Sequence, residues 1–306
     1  MSNTPLLSVV IPTFNSADMT CRSLDSLLKQ TLKDGDFEIV VINNNSTDNT
    51  LERVTAYAEN NPSVSVYTQK QQGISHTRNM GIEQAKGEYI LFLDGTKEAG
   101  EHVVQKTMDH FRNIRPEPLS VGGRYIPRFE GKKPFWYDDQ FEIRTWGNEP
   151  RFLTNEEAYT GFVGGICAFR KDLLEHVNGF DTTLGMSGGK LRAGEEPDLY
   201  RKIYELQDDN TNTIYYDPDL YVYTRVPMER LTLRYRLRRS FGFGISSRVP
   251  LKKRGTVRYL VSLPMPFFRT IPMISTLFAK DDRKRSTKAV VIISQLAWYA
   301  GYYWTR

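Results

Sequence analysis

The 306 residues predict an α/β chain: a mostly parallel central sheet flanked by helices, followed by a C-terminal helical extension that is first basic and then apolar. Three observations predict it. Strand and helix patterns alternate through the first two thirds, as they do when crossover helices join parallel strands. One strand pattern, Tyr89 to Leu93, is apolar without alternation, the mark of a strand covered on both faces. The last third loses the alternation and carries an excess of Lys and Arg beside long apolar runs.

Composition sets the bounds. At 40% hydrophobic and 25% charged, the chain is ordinary globular material with length for one large domain, 1–235, and an appendage, 236–306. The formal net charge of +5 is unevenly spread, and a basic last third implies an acidic partner. Cys21 and Cys167 lie too far apart for a CxxC pair, which argues against a zinc site or a disulfide framework and fits a reducing cytoplasm. His76, His102, His110 and His176 form no metal-ligand spacing. The opening MSNTPLLSVVIPTFN has no basic segment or cleavage site before its strand pattern, so no signal peptide is expected.

In chain order, LSVVIP (7–12) reads as a buried strand stopped by Pro12, with Asn15 and Ser16 offering caps for a helix that turns Cys21, Leu24 and Leu28 to one side. EIVVI (38–42) is a second strand. The polar turn NNNSTDNT (43–50) opens a helix with Leu51, Val54 and Ala58 inward. VSVYT (64–68), a loop at Gly73 and a short helix holding Arg78 and Ala85 lead to the central strand. A helix with Val103, Val104, Met108 and Phe111 then precedes a strand at 119–126, and the polar, aromatic stretch 127–159 reads as loops. A strand at 162–169, a helix at 171–177 and a loop with Gly185, Gly188 and Gly189 come before a helix at 193–206. There Pro197 sits early, where a missing N–H costs nothing.

Three constellations can carry chemistry. Parallel sheets bind ligands outside the carboxyl ends of their strands. Thr13 and Asn15, then Asn43 and Asn44, then Arg78, then Asp94 all fall at such ends, a set suited to reading a base and ribose and neutralising phosphate. Taken singly, the asparagines read as turn formers and Arg78 as a solvated helix residue. Glu195, Glu196 and Asp198 open a helix; one of them facing a substrate hydroxyl can act as general base, and acids there also suit the helix dipole. From Arg225 to Arg258 eleven basic residues face one acid, Glu229. Within that region Arg234, Arg238 and Arg239 can share a helix, suited to a diphosphate leaving group, to lipid phosphate or to plain solvation. No nucleic-acid motif accompanies them, and no nucleic-acid partner is expected.

The tail holds two apolar stretches. YLVSLPMPFF (259–268) is broken by Pro264 and Pro266, with Arg269 and Pro272 beyond it. The run 289–304 is sixteen residues without a charge. A spanning helix needs about 20, so an interfacial or a packed helix suits it better. Lys252, Lys253 and Arg254, then Arg283, Lys284 and Arg285, flank these stretches with positive charge, and Trp298, Tyr299, Tyr302, Tyr303 and Trp304 are aromatics suited to a headgroup boundary.

SVVIPTFN, VVINNNSTDNT, GISHTRNMGIEQAKGEYILFLDGT, GGICAFRKDLLEHVNGFDTTLG and GEEPDLYRKI, in that order, resemble the successive motifs of family 2 glycosyltransferases over roughly residues 6–245. The resemblance implies a GT-A fold and inverting, hexosyltransferase-type transfer from a nucleotide-sugar donor to a glycan or lipid-linked acceptor. It implies a place in cell-surface polysaccharide or glycoconjugate biosynthesis. The cysteine usage and the basic, aromatic tail add the expectation of a cytoplasmic protein, peripheral on the inner face of the cell membrane, with an anionic membrane surface as partner. Carried over by position, Pro12, Thr13, Asn15, Asn43, Asn44, Arg78, Asp94 and Gly95 line the donor site, with Asn43 at the base-reading aspartate and Asp94 first in the DxD motif. Glu196 is the acceptor-activating base, with Glu195 and Asp198 its neighbours; Arg234, Arg238 and Arg239, which no family position assigns, are candidates for stabilising the diphosphate leaving group. Three positions depart from the pattern. Asn43 replaces an aspartate, and Glu196 replaces the aspartate of a Glu-Asp pair. Thr96 stands where a second carboxylate usually helps hold Mg²⁺ or Mn²⁺, so any metal falls to Asp94 and a weakened dependence is expected. The alternative reading is a catalytically weak GT-A protein that binds nucleotide sugar or a partner without transfer.

Overall fold

The computed structural model describes residues 4–30, 36–154, 157–158, 161–162, 165–187, 194–206, 213–253 and 282–303. Gly188, Gly189, the stretch 259–268, Arg254, Arg269, Pro272 and Trp304 lie outside the described residues, as do the side chains of Lys252, Lys253, Arg283, Lys284 and Arg285.

The first 60 residues build two βα units: β1 (Leu7–Thr13), α1 (Ala17–Leu28), β2 (Phe37–Asn43) and α2 (Thr50–Asn60). β3 (Val64–Thr68), α3 (Ile74–Gln84) and β4 (Tyr89–Phe92) complete the parallel half. β5 (Lys97–Ala99), α4 (Val103–Asn113), β6 (Ser120–Phe129), β7 (Arg151–Phe152), β8 (Cys167–Arg170), α5 (Lys171–His176), α6 (Glu195–Tyr204) and β9 (Ile214–Val226) follow. Two longer helices close the described chain, α7 (Leu233–Lys253) and α8 (Asp282–Tyr303).

Among the described residues the sheet runs β3-β2-β1-β4-β8-β6-β9-β5, with β7 beside β9. β1 pairs in parallel with β2 and β4, and β2 with β3, so these four strands send their carboxyl ends to one edge. β8 runs antiparallel to β4 and β6, and β9 antiparallel to β5 and β7, so the sheet is mixed beyond β4.

Alternate residues of the central strands feed two cores. Val9, Ile11, Ile39, Val41 and Leu91 meet Leu24, Val54, Val104 and Phe111 on one face. Val10, Val40, Ile42, Ile90 and Phe92 meet Ile82, Leu174, Leu199 and Ile203 on the other. Helices on both faces explain why these strands are apolar without alternation. The expected strand at 162–169 is reduced to Cys167–Arg170.

β9 is a strand that the sequence reading does not anticipate. Asp217, Pro218 and Asp219 in its middle have the composition of a turn. Asp217 is nonetheless buried, and its carboxylate is met by His110 Nε2 at 2.7 Å and Lys106 Nζ at 3.5 Å. The buried acid is therefore held by Lys106 and His110 from α4 and by the Asp219 N–H, which donates to its other oxygen at 2.7 Å.

Packing divides the chain into two units. One holds Met1–Ile126, Ile143–Gly188 and Glu195–Thr224; the other holds Pro127–Glu142, Gly189–Gly194 and Arg225–Arg306. Within the second, Val226 and Leu231 share a small core with Tyr137, Phe141 and Val290.

Candidate active site

β1, β2 and β4 deliver Thr13, Asn43 and Asp94 to the same sheet edge. The loops beyond them are stitched together by asparagine. Asn15, in the left-handed conformation at φ 46°, accepts from the Thr47 N–H at 2.8 Å and donates to Thr47 Oγ1 at 3.2 Å. Asn43 Oδ1 accepts from the Ser46 N–H at 3.3 Å. Asn44 donates to the Gln69 and Gln71 carbonyls and accepts from the Gly73 N–H. The Asn44 amide therefore holds the loop between β3 and α3 against the end of β2. Thr13 is buried and bonds to Ser16 and Thr20. Asn15 and Phe14, by contrast, are exposed on this edge.

Gly95 seats Asp94. Its N–H donates to the Pro12 carbonyl at 3.2 Å, and a Cβ there would lie 3.0 Å from Thr20 Oγ1 and 3.1 Å from that carbonyl. A side chain there would press on β1 and α1, so glycine eases the close approach of the turn after β4.

Arg78, on α3, is the centre of the site. It is 2% exposed, and its guanidinium reaches three carboxyl groups. Nη1 donates to Glu196 Oε1 at 2.8 Å and to Glu195 Oε1 at 3.3 Å, while Nη2 donates to Asp94 Oδ1 at 3.3 Å. The Phe180 ring lies beneath it, 5.2 Å from the guanidinium carbon. The sequence reading gives Arg78 a donor phosphate; here it joins the end of β4 to the start of α6.

The electrostatics follow from burial. Burial alone disfavours the charge on Arg78, and Glu196, Asp94 and Glu195 outweigh it, so its pKa lies above the ordinary arginine value. Burial, and then the neighbouring Glu196, push the Glu195 carboxyl up to about 8 against the pull of Arg78. The shift favours the protonated form of Glu195, whose buried Oε2 has no hydrogen-bond partner among the described residues. Asp198, the third acid of this helix start, faces elsewhere: it pairs with Arg201 at 3.0 Å and Lys202 at 3.6 Å on its own helix. Only the first two acids join the cluster.

Two residues outside the expected set stand beside Asp94. Gly165 has φ 132°, and a Cβ on it would lie 2.6 Å from the Tyr125 hydroxyl and 3.2 Å from Asp94 Oδ2. Burial, and then the charge of Asp94, raise the Tyr125 phenol above its usual range. Gly165 stands inside the quoted motif stretch as a second glycine, whereas nothing in the polar run around Tyr125 distinguishes it from a strand aromatic.

The donor set for a metal is thin. Among the described residues no group of three or more His, Cys, Asp or Glu side chains is placed to hold an ion. Glu195 and Glu196 turn to Arg78, and Thr96 contributes a hydroxyl in place of a carboxylate. These residues alone do not make a divalent-cation site of the usual oxygen-rich kind.

The three arginines near the start of α7 do not act alike. Arg239 makes a two-toothed pair with Glu142 at 2.8 and 2.9 Å, inside the second unit, and Glu142 also accepts from Tyr137. Arg234 and Arg238 are exposed.

Residues 8–177 match the family model of Glycosyl transferase family 2. Over 246 residues the chain is 25% identical to glucosyl-dolichyl phosphate glucuronosyltransferase of Haloferax volcanii, covering 79% of this chain and 76% of that protein. It is 43% identical to the Escherichia coli glycosyltransferase YibD over 98 residues, 32% of this chain and only 28% of that protein. Among solved structures, the mannosyltransferase PcManGT of Pyrobaculum calidifontis, in complex with GDP-Man and Mn²⁺, superposes with a TM-score of 0.63 at 18% identity, over 95% of this chain and 86% of that one. The fold is of the GT-A type. A family match running unbroken from β1 through α5, over the strand ends that carry Thr13, Asn43 and Asp94, means that the chain belongs to glycosyl transferase family 2.

Proposed function

We infer that this protein transfers a hexosyl group, with inversion, from a nucleotide-sugar donor to a hydroxyl of a glycan or lipid-linked acceptor. The observation that carries the reading is the junction made by Arg78, which holds Asp94 at the donor edge and Glu196 at a helix start within one guanidinium's reach. Single displacement with inversion needs the nucleotide leaving group and the group that deprotonates the acceptor hydroxyl on opposite sides of the donor's anomeric carbon. The new C–O bond then forms as the bond to the diphosphate breaks. Asp94, Asn15 and the exposed Phe14 are the donor side in this reading, and Glu196 takes the acceptor proton. Of the two glutamates, Glu196 makes the shorter contact with Arg78, and Glu195 is its neighbour in this reading. The name of the Haloferax relative describes action on a lipid-linked sugar, which favours an acceptor of that kind at the inner face of the cell membrane, in cell-surface polysaccharide or glycoconjugate synthesis.

A divalent cation in this reading rests on Asp94 and on the donor's own diphosphate oxygens, so Mg²⁺ or Mn²⁺ should matter less than in a site with two carboxylates. The test is a thermal-shift screen of nucleotide sugars on the purified chain, followed by product analysis with and without EDTA. Ligand binding to the folded state raises apparent stability. One nucleotide sugar should raise the midpoint, be turned over to the free nucleotide, and keep part of that turnover in EDTA. A donor that binds without transfer or hydrolysis would instead support the catalytically weak alternative, and complete loss in EDTA restored by Mn²⁺ would contradict the reduced dependence.

A further inference from the structure

The second unit carries a surface for which sugar transfer gives no reason. One side of α8 is packed: Val290, Ser294, Gly301 and Tyr302 are buried. The packing against α7 is backbone to backbone. A Cβ on Gly244 would lie 1.9 Å from the Trp298 carbonyl oxygen, and one on Gly301 would lie 2.0 Å from that of Phe241.

The other side of α8 is exposed and apolar. Ile293, Leu296, Ala300 and Tyr303 are all exposed, Leu296 and Tyr303 by about half. Their spacing of i, i+3, i+7 and i+10 makes one row, roughly 15 Å long at 1.5 Å per residue. A helix that packs one face on a neighbour ordinarily turns polar residues to water on the other.

Charge points to what covers this row. Residues 225–306 hold 18 Lys and Arg against 3 Asp and Glu, a formal charge of +15, while the preceding 224 residues carry −10. On α7, Arg234 and Arg238 are among the exposed cations. A soluble acidic polymer would answer the charge but leave the apolar row in water. A second copy of the chain would cover the row but bring like charge against like. An anionic bilayer surface answers both, since interfacial helices combine an apolar face with surrounding Lys and Arg. Among the described residues no helix is long and apolar enough to cross a membrane, and a one-sided apolar row beside exposed Arg is the pattern of a helix lying on a surface.

We propose that the Ile293, Leu296, Ala300 and Tyr303 face of α8 docks this unit on an anionic lipid surface. The inference rests on the peripheral placement in the reading above and names the residues that would make it. The experiment is flotation of the full chain with vesicles of phosphatidylcholine and phosphatidylglycerol, and with phosphatidylcholine alone, at low and high salt. It requires neither donor nor acceptor, so its failure and the failure of transfer are seen separately. The protein should float with the anionic vesicles and less so as salt rises. Ile293→Glu with Leu296→Glu should keep the parent's melting midpoint and lower the bound fraction about tenfold or more. If that pair does not fold, Tyr303→Ser should still lower the bound fraction measurably. Parent flotation that these changes leave intact would overturn the proposal, as would no flotation of the parent. Retention on soluble polyphosphate without flotation would move the site to an acidic polymer. A dimer that Ile293→Glu with Leu296→Glu dissolves, again without flotation, would make the face a self-contact.

Discussion

Arg78 and Glu195 carry the clearest consequence at the scale of single residues. Glu195 is an acid whose proton is retained by burial, with its usual value of 4.5 pushed up to about 8 in the folded protein. The sign follows from proton counting. Between about 4.5 and 8 the folded state holds a proton that the unfolded state has lost, so stability falls as pH rises through this window. The slope from this one group is at most about 1.4 kcal/mol per pH unit. Glu195→Gln keeps an acceptor for Arg78 and cannot titrate. Urea denaturation across that range should therefore show a shallower decline for the variant, with parent and variant converging below the usual glutamate value. Parallel profiles would mean that Glu195 is ionised in the fold. The sequence makes Glu195, Glu196 and Asp198 look equivalent. Only the helix's orientation separates two that turn to Arg78 from one that turns to Arg201 and Lys202, and spacing alone does not contain that.

Among elements, the parallel half was legible because β1, β2 and β4 centre on apolar runs and β3 on a β-branched, alternating one, each bounded by polar turns, so local pattern is enough. β9 was not legible: besides the Asp219 N–H, its buried Asp217 meets His110 and Lys106, which come from a helix about a hundred residues earlier. The helical pair α7 and α8 lies between these cases. An apolar run at 289–304 announces a helix, but not that it is packed on one side and bare on the other. Gly244 and Gly301 decide the packed side. Gly301→Val would drive a branched side chain into the Phe241 carbonyl, which lies 2.0 Å from a Cβ at that position. Forcing volume into a closed contact costs at least about 2 kcal/mol when the opposing group is backbone. We expect thermal unfolding at a lower midpoint for Gly301→Val, with Gly147→Ala, whose Cβ would meet nothing within 4 Å but which stands at φ 129°, showing only its local backbone penalty. An unchanged midpoint in Gly301→Val would mean that the two helices do not pack this closely.

For the whole molecule, the account joins a family 2 fold to one junction of charge. The place of Asp94 at the carboxyl edge of the sheet was legible because it follows directly on an apolar strand and is followed by a glycine turn. Glu196 was legible as an acid at a helix start. That one buried arginine links them was not, because the two lie a third of the chain apart and meet only once β4, α3 and α6 are assembled on the same sheet. If that assembly is a transferase site, the most direct measurement is transfer and donor affinity in Glu196→Gln, with the donor found by the nucleotide-sugar screen. The account predicts turnover lower by roughly 10²-fold or more, with the donor dissociation constant little changed, since the amide keeps the Arg78 contact and loses only the proton acceptor. Near-normal turnover in Glu196→Gln, with Glu195→Gln inactive instead, would contradict it.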